Sequence, residues 1–253
     1  MARSYAPDDY LEAVYILESE GVAVIGARVA EFLSVTPPSV TEALQRLQKR
    51  GLTSLGEHHL IALTESGRNR AEALVRRHRI AERWLTDVLG LDWAQADVEA
   101  SKLAQAFSLD VADRLSRLMD NPETCPHGNP IPGNNHQPLH SGPRLDDMAM
   151  GEEAVVERVV EHAEVDAKLL HYLWRLGILP GVRLKVTDKV PGAGTVVVLR
   201  NGEEIALGLE AASKIQVQPT YVGQAPSPAS ASYVAQAPPP ANRGAGEITG
   251  GSR

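Results

Sequence analysis

The amino-acid sequence predicts a mainly α-helical chain that carries two small β regions and ends in a disordered tail. Apolar residues recur at helical spacing through most of the first half of the chain. Alternating apolar residues and turn residues, which are typical of strands, occupy residues 52–63 and much of 182–218. Hydrophobic residues make up 43% of the 253 residues and charged residues 23%, which is the composition of a folded protein. The length favours more than one domain.

Three short helices are predicted at the N-terminus, over residues 8–17, 25–33 and 36–50. The third begins with Pro37 and Pro38, which the first turn of a helix tolerates because its N–H groups have no partner within the helix. Residues 52–63 follow as two short strands joined by a polar turn. Three helices and a hairpin in this order predict a winged helix-turn-helix within residues 1–70.

A helical dimerisation domain is predicted over residues 71–121. One long helix begins at the capping sequence of residues 64–67 and extends to about residue 89. Two further amphipathic helices cover residues 93–107 and 109–119, with Ser108 as the N-cap of the second. Amphipathic helices added to a winged helix commonly pack against a second copy of the chain. Residues 122–145 are predicted as a linker, because six prolines lie between residues 122 and 143.

Residues 146–218 are predicted as a small β domain. A strand over 154–160 precedes a helix over 166–176, and β-rich stretches follow at 182–190, 195–200 and 203–207. The last two are joined by Asn201-Gly202, a strong hairpin signal. Residues 214–218 are expected to close a small β-barrel. Residues 219–253 are dominated by Ala, Pro, Ser and Gly, which predicts a disordered tail.

Charge and cysteine content restrict the classes of function. The net charge is −7, yet residues 36–83 contain nine basic and five acidic residues, so this segment is locally positive, as DNA binding requires. Cys125 is the only cysteine, so no internal disulfide can form and we expect a cytoplasmic protein. No apolar run reaches the roughly 18 residues of a membrane span. We expect no enzyme activity, because no phosphate-binding loop or nucleophile motif is present.

Several motifs together are specific enough to identify a family. They are DYLEAVY at 9–15, SVT at 39–41, LTESG at 63–67, RRHRIAE at 76–82, PHGNPIPG at 126–133 and LGILPG at 176–181. With these motifs the chain resembles, from about residue 8 to residue 218, the diphtheria toxin repressor family of iron- and manganese-dependent transcriptional regulators, which includes the manganese transport regulator. The later block, with the motif at 176–181, looks like the SH3-like domain of many members, which is related to a small ferrous-transport protein.

The resemblance implies a homodimeric repressor of metal-homeostasis genes that binds a pseudo-palindromic operator in double-stranded DNA. The third helix would enter the major groove, and Glu42 would accept from a cytosine amino group. An alternative interpretation makes the polar side of this helix an ordinary solvated surface. The residues that the resemblance places at the DNA bases are Thr36, Pro38, Ser39 and Glu42, with Arg28 and Arg46 at phosphates.

The resemblance also implies a divalent transition metal, manganese or iron, bound between the DNA-binding and dimerisation helices. Asp9 and Glu12 share one helical face, as do His78 and Glu82. Asp97 stands where the family has a histidine, and Asp166 falls near a glutamate position of the last domain. Other family ligands are replaced by Ser101, Ala104 and Gln105, of which alanine offers no donor. The candidate metal ligands are Asp9, Glu12, His78, Glu82, Asp97 and Asp166.

Three alternatives to a metal-dependent repressor with its metal in this groove stay open. A second set of metal-capable side chains lies in the predicted linker, at Cys125, His127, His136 and His140, although its spacing matches no standard zinc pattern. A regulator of this fold that has lost metal sensing would bind DNA constitutively or through another effector. A protein that no longer contacts DNA would serve as an interaction or metal-buffering protein.

Overall fold

A computed structural model describes residues 5–134, 142–161 and 167–220. The N-terminal part is a winged helix-turn-helix, as predicted, and its helices pack around one apolar core. The hairpin is antiparallel, with Thr53 opposite Leu63. Among the described residues, no helix is long and apolar enough to cross a membrane. The elements of this part are α1 (Pro7–Ser19), α2 (Gly26–Leu33), α3 (Pro37–Lys49), β1 (Thr53–Leu55) and β2 (Ile61–Leu63).

Three helices follow the hairpin: α4 (Glu65–Asp87), α5 (Trp93–Ala106) and α6 (Leu109–Leu118). Each begins at a residue whose side-chain oxygen accepts from a backbone N–H of the first turn: Thr64, Asp92 and Ser108. The predicted N-cap at Ser108 is thus confirmed. The predicted helices end within two residues of the observed ones, because caps and apolar periodicity mark these boundaries locally.

The last part is a five-stranded antiparallel sheet with two helices. Its strand order is β6-β5-β4-β3-β7. Asn201 and Gly202 both have positive φ in the turn between β5 and β6, as the hairpin signal predicted. Its elements are β3 (Glu153–Val159), α7 (Ala167–Arg175), β4 (Arg183–Val190), β5 (Thr195–Arg200), β6 (Glu203–Gly208), α8 (Leu209–Ala212) and β7 (Ile215–Pro219).

The prediction of a closed barrel is wrong, because β6 and β7 lie at opposite ends of an open sheet. The outer edge of β7 is occupied by the segment that precedes β3. Leu145 N–H donates to the Ile215 carbonyl at 2.9 Å, and Val217 N–H donates to the Pro143 carbonyl at 3.0 Å. Backbone groups of β7 with which a closing strand would pair are therefore already hydrogen-bonded.

The first half of the predicted linker is packed into the protein. Cys125, His127, Asn129 and Ile131 are all buried. Trp93 at the start of α5 lies in the core of the sheet domain, where it is 2% exposed. The helical part and the sheet domain therefore share a core. Residues 135–141 and 221–253, from the predicted linker and tail, lie outside the described residues.

Candidate metal centre and nucleic-acid interface

The predicted DNA-contacting residues lie on α3, from its N-cap Thr36 to Arg46 in its last turn, with Arg28 on α2. Thr36 and Ser39 hydroxyls are 2.9 Å apart, and Arg46 donates to Glu42 one turn away at 2.5 Å. Arg28, Pro38, Glu42 and Arg46 are exposed. The buried side of α3 consists of Val40, Ala43 and Leu47. The helix thus turns its apolar side to the core and presents the predicted contact residues to solvent.

A groove between α1, α4 and α5 collects most of the predicted metal ligands. Asp9, Glu12, His78 and Asp97 line a cavity of about 600 Å³ there. Nε2 of His78 lies 3.5 Å from Oδ1 of Asp97 and 3.3 Å from Oε1 of Glu82. Burial by itself would lower the pKa of His78, but the neighbouring Glu82, Asp97 and Glu12 carboxyls raise it well above its ordinary value of 6.5. The protonated, positively charged form of this imidazole is therefore favoured while the groove holds no metal ion.

Part of the ligand set that the resemblance implies is not available in the groove. Ser101, Ala104 and Gln105 line it where the family has ligands. Asp9 caps its own helix, because its Oδ2 accepts from Ala6 N–H at 2.7 Å. Burial raises the pKa of the Glu12 carboxyl, with Asp9 adding to the effect and His78 opposing it. Asp166 lies outside the described residues, so the described groove offers only His78, Asp97 and Glu82 as a close set.

A second close set of metal-capable side chains is formed by Glu82, Cys125 and His127. Its candidate ligand atoms all lie within 4.8 Å of one another, and all three residues are buried. His127 Nδ1 is 3.5 Å from Glu82 Oε1 and 3.8 Å from Cys125 Sγ. Two ligands bound to one ion at roughly 2.0–2.3 Å are typically separated by distances of this order. We call these three residues the buried cluster.

The sequence groups only two of the three residues of the buried cluster with each other. Cys125 and His127 were grouped with His136 and His140, which lie outside the described residues. Glu82 was assigned only to the groove with His78. The usable signal is the Cys-Pro-His run itself, which places two metal-capable side chains two residues apart, here in a turn closed by Gly128 N–H donating to the Cys125 carbonyl at 3.0 Å. Its partner across the fold could not be found from local spacing.

Three arginines on successive turns of α4 hold the segment that carries Cys125 and His127. Arg76 donates to the Pro132 carbonyl at 2.6 Å, Arg79 donates to the Pro130 carbonyl, and Arg83 donates to the Thr124 carbonyl at 3.0 Å. Arg79 also pairs with Glu161 at the end of β3. These charge-assisted bonds place the segment alongside Glu82, which lies on the same helix.

The same segment is bonded to strand β3. Val159 N–H donates to the His127 carbonyl at 2.8 Å, and the Asn129 side-chain amide donates to the Val159 carbonyl at 3.0 Å. Between them Gly128 has φ +92°, and a Cβ there would lie 2.3 Å from the Glu157 carbonyl oxygen. Only glycine accommodates both the conformation and the close approach.

Gly128→Ala is expected to lower the free energy of unfolding by about 2–4 kcal/mol, since left-handed strain adds to a backbone clash. Gly151→Ala is the matched control, because Gly151 has φ +90° but no atom within 4 Å of its Cβ position. The control should lose only about 1–2 kcal/mol from backbone strain. Urea unfolding of both variants measures the difference. Equal losses would show that the segment is not seated against β3.

The buried cluster fits a divalent transition metal. Glu82 is 0% exposed, and its Oε1 lies 3.3 Å from His78 Nε2 and 3.5 Å from His127 Nδ1. A buried carboxylate is costly unless a cation or donor compensates it. Carboxylate, imidazole and thiolate together are a donor set for first-row metals such as iron, manganese or zinc.

Comparison with known proteins matches each of the three parts of this architecture to a family model. Residues 5–58 match the N-terminal DNA binding domain of iron dependent repressors. Residues 64–133 match the metal binding and dimerisation domain of the same repressors. Residues 144–219 match the FeoA domain. The three matches follow the winged helix, the helical part and the sheet domain in order.

Relatives match over most of the chain. The iron-dependent repressor IdeR of Mycobacterium tuberculosis is 37% identical over 220 residues, covering 83% of this chain and 95% of that protein. The diphtheria toxin repressor of Corynebacterium diphtheriae is 30% identical over 217 residues, covering 83% of this chain and 95% of that protein. A solved manganese-dependent transcriptional repressor complex with manganese is 30% identical with a TM-score of 0.74, covering 85% of this chain and 100% of that one. The chain therefore belongs to the iron-dependent repressor family, which contains the diphtheria toxin repressor.

Proposed function

We propose that this protein is a homodimeric transcriptional repressor whose binding to operator DNA requires Mn(II) or Fe(II). The observation that carries the proposal is the set of Glu82, Cys125 and His127, three buried metal-capable side chains within 4.8 Å of one another in a chain that also presents a winged helix-turn-helix. Relatives of this chain are named as iron-dependent repressors and a similar structure as a manganese-dependent one. We place the protein in the cytoplasm and assign it no enzyme activity.

The metal would be held by Glu82 from α4 and by Cys125 and His127 from the segment bonded to β3. His78 and Asp97 add two further donors beside Glu82. A bound divalent ion joins ligands from different elements and so favours one arrangement of them. The ligand residues themselves must release protons for this, because thiolate and neutral imidazole are the forms that bind.

The ligand-bearing segment is connected to the DNA-binding helices through Arg158 of β3. Asn129 Oδ1 accepts from Arg158 at 3.0 Å, and the same guanidinium makes a two-pronged ion pair with Glu20 just after α1, at 2.5 and 2.8 Å. Groups that pack against Cys125 and His127 therefore also set the position of α1. This is a physical route by which metal binding would orient α3 in each half of the dimer.

The described surface supports the two macromolecular partners. In α6, Leu109, Val111 and Leu118 are exposed apolar residues, which a second copy of the chain would cover. In α3, the exposed Glu42 carboxylate would accept a hydrogen bond from cytosine N4. Arg46 would either keep its ion pair with Glu42 or contact a phosphate.

The test is operator binding with and without metal. Duplexes selected from a random library, in separate Mn(II) and chelator arms, would supply the operator, and fluorescence anisotropy would measure affinity. We expect metal to tighten binding by about 5–150-fold, the usual range of coupling between two sites. Cys125→Ala should abolish this gain, whereas Ser101→Ala, in the groove, should keep it.

Two other results would favour the alternatives. Equal operator affinity in Mn(II), in Fe(II) and in chelator would identify a regulator that has lost metal sensing. Ser101, Ala104 and Gln105, which replace family ligands, favour this alternative. No salt-dependent binding to any duplex would identify an interaction or metal-buffering protein instead.

A further inference from the structure

The groove between α1, α4 and α5 is larger than a metal ion needs. Its cavity of about 600 Å³ lies within the roughly 300–1,000 Å³ of pockets that hold small molecules. His78 and Asp97, which form a close metal-capable set with Glu82, make up only a small part of its wall. The rest of the wall encloses room for a larger ligand.

The rest of this wall is mostly apolar. On α5, Ser101, Ala104 and Gln105 present a hydroxyl, a methyl and an amide to the cavity, none of which is a strong ligand for a transition metal. Such a surface suits a molecule with an apolar body, which a bare ion does not have. The buried apolar side chains that line the cavity from α1, α2 and α4 are Ala13, Ile16, Phe32, Leu33, Leu74 and Val75.

Glu12 supplies the charge that a ligand in this cavity would meet. Burial is the largest effect on its carboxyl and raises its pKa, and the nearby His78 does not offset this. The charged carboxylate is therefore incompletely compensated by the protein. Most other charged groups of the wall have partners of their own, in the ion pairs Asp8–Arg70, Arg79–Glu161 and Lys102–Glu99.

We propose that the groove binds a small organic cation, a primary ammonium group on an apolar body, with Glu12 as its counter-ion. An ammonium group has three N–H donors, and the oxygens of Glu12, Ser101 and Gln105 all line the cavity. The apolar body would cover the wall formed by α1, α2 and α4. A single positive charge matches the single carboxylate of Glu12, and charge-assisted hydrogen bonds are the strong ones.

The position of the groove gives this ligand a regulatory consequence, which rests on the proposed function. α1 belongs to the winged helix-turn-helix, whereas α4 and α5 belong to the helical part. A molecule bound between them favours one arrangement of the two parts and so changes operator affinity. The organic cation would therefore act as a second effector, beside the metal of the buried cluster.

The experiment measures direct binding by isothermal titration calorimetry. Full-length metal-free protein is titrated with linear primary ammonium ions from propylammonium to octylammonium, and with the alcohols of the same lengths. Each added methylene should tighten binding about fourfold until the cavity is filled. Each ammonium ion should bind at least about 10-fold more tightly than its alcohol, because a hydrogen bond to a charged group is the stronger one.

Glu12→Gln is the decisive variant, because the amide keeps the shape of the side chain and removes its charge. It should weaken the ammonium ions by about 10-fold and leave the alcohols unchanged. Asp110→Asn is the matched control, since Asp110 is an exposed carboxylate of α6 outside the groove. Ala104→Leu narrows the cavity and should weaken the longest ammonium ions most. Thermal melting of each variant verifies that it is folded.

A repeat of the titration in saturating Mn(II) distinguishes the organic ligand from a metal. Ammonium binding should persist, because Glu12 is not a ligand of the buried cluster. Four results would overturn the proposal: no saturable binding of any ammonium ion, equal affinity for ammonium ion and alcohol, no effect of Glu12→Gln, or complete displacement by Mn(II). None of them bears on metal-dependent repression, which fails only if operator affinity ignores the metal.

Discussion

Arg158→Met is expected to lower the free energy of unfolding by about 3 kcal/mol and the melting temperature by about 6–12 °C. Arg158 is 4% exposed and its ion-pair partner Glu20 is 10% exposed, so the pair lies in the junction between β3 and α1. Removing the guanidinium leaves a desolvated carboxylate. The loss falls at the low end of the usual range because Arg144 is close enough to interact electrostatically with Glu20.

The control for this variant is Arg114→Met, which breaks an exposed pair with Asp110 on the surface of α6. It should leave unfolding unchanged, since screened surface pairs contribute little. Replacing both buried partners, as Glu20→Leu with Arg158→Met, should recover part of the loss because no unpaired charge remains. If Arg158→Met has the same melting temperature as Arg114→Met, the ion pair between Arg158 and Glu20 does not stabilise the contact between the sheet domain and α1.

The fold could be predicted from the sequence largely because its signals are local. Thr64, Ser108 and the proline pair of α3 mark helix starts through groups within a few residues, and Asn201-Gly202 marks a turn in the same way. The open sheet could not be predicted in this way, because it depends on residues 143–145 lying along the outer edge of β7, where a closing strand would otherwise pair. Nothing in the spacing of those residues shows that they pair with β7.

The candidate site could be predicted only in part, for the same reason. His78 and Glu82 are one turn apart on a helix, so their proximity follows from periodicity. Cys125 and His127 approach Glu82 only because arginines of α4 hold their segment from one side and β3 holds it from the other. Arg158 and Glu20 carry no signal at all, since charged residues are usually exposed.

Trp93→Ala is expected to destabilise the protein by about 3–5 kcal/mol, the usual loss for truncating a buried tryptophan. Trp93 begins α5 yet lies in the core of the sheet domain, and its ring meets His127 edge-on with centroids 4.7 Å apart. The variant therefore removes the apolar contact that joins the two parts and also the wall behind a metal ligand. Calorimetry should show a lower melting temperature, and Mn(II) titration should show weaker binding.

Trp174→Ala is the matched control, because Trp174 packs against the same core from α7 but is only partly buried. It should destabilise the protein less and leave Mn(II) affinity unchanged, since the structure places Trp93, not Trp174, against His127. Trp93→Phe should restore part of the stability by refilling the core with a smaller ring. Equal effects of the two alanine variants on both stability and metal affinity would contradict a shared core at α5, and the sheet domain would then be an independent appendage rather than one wall of the metal centre.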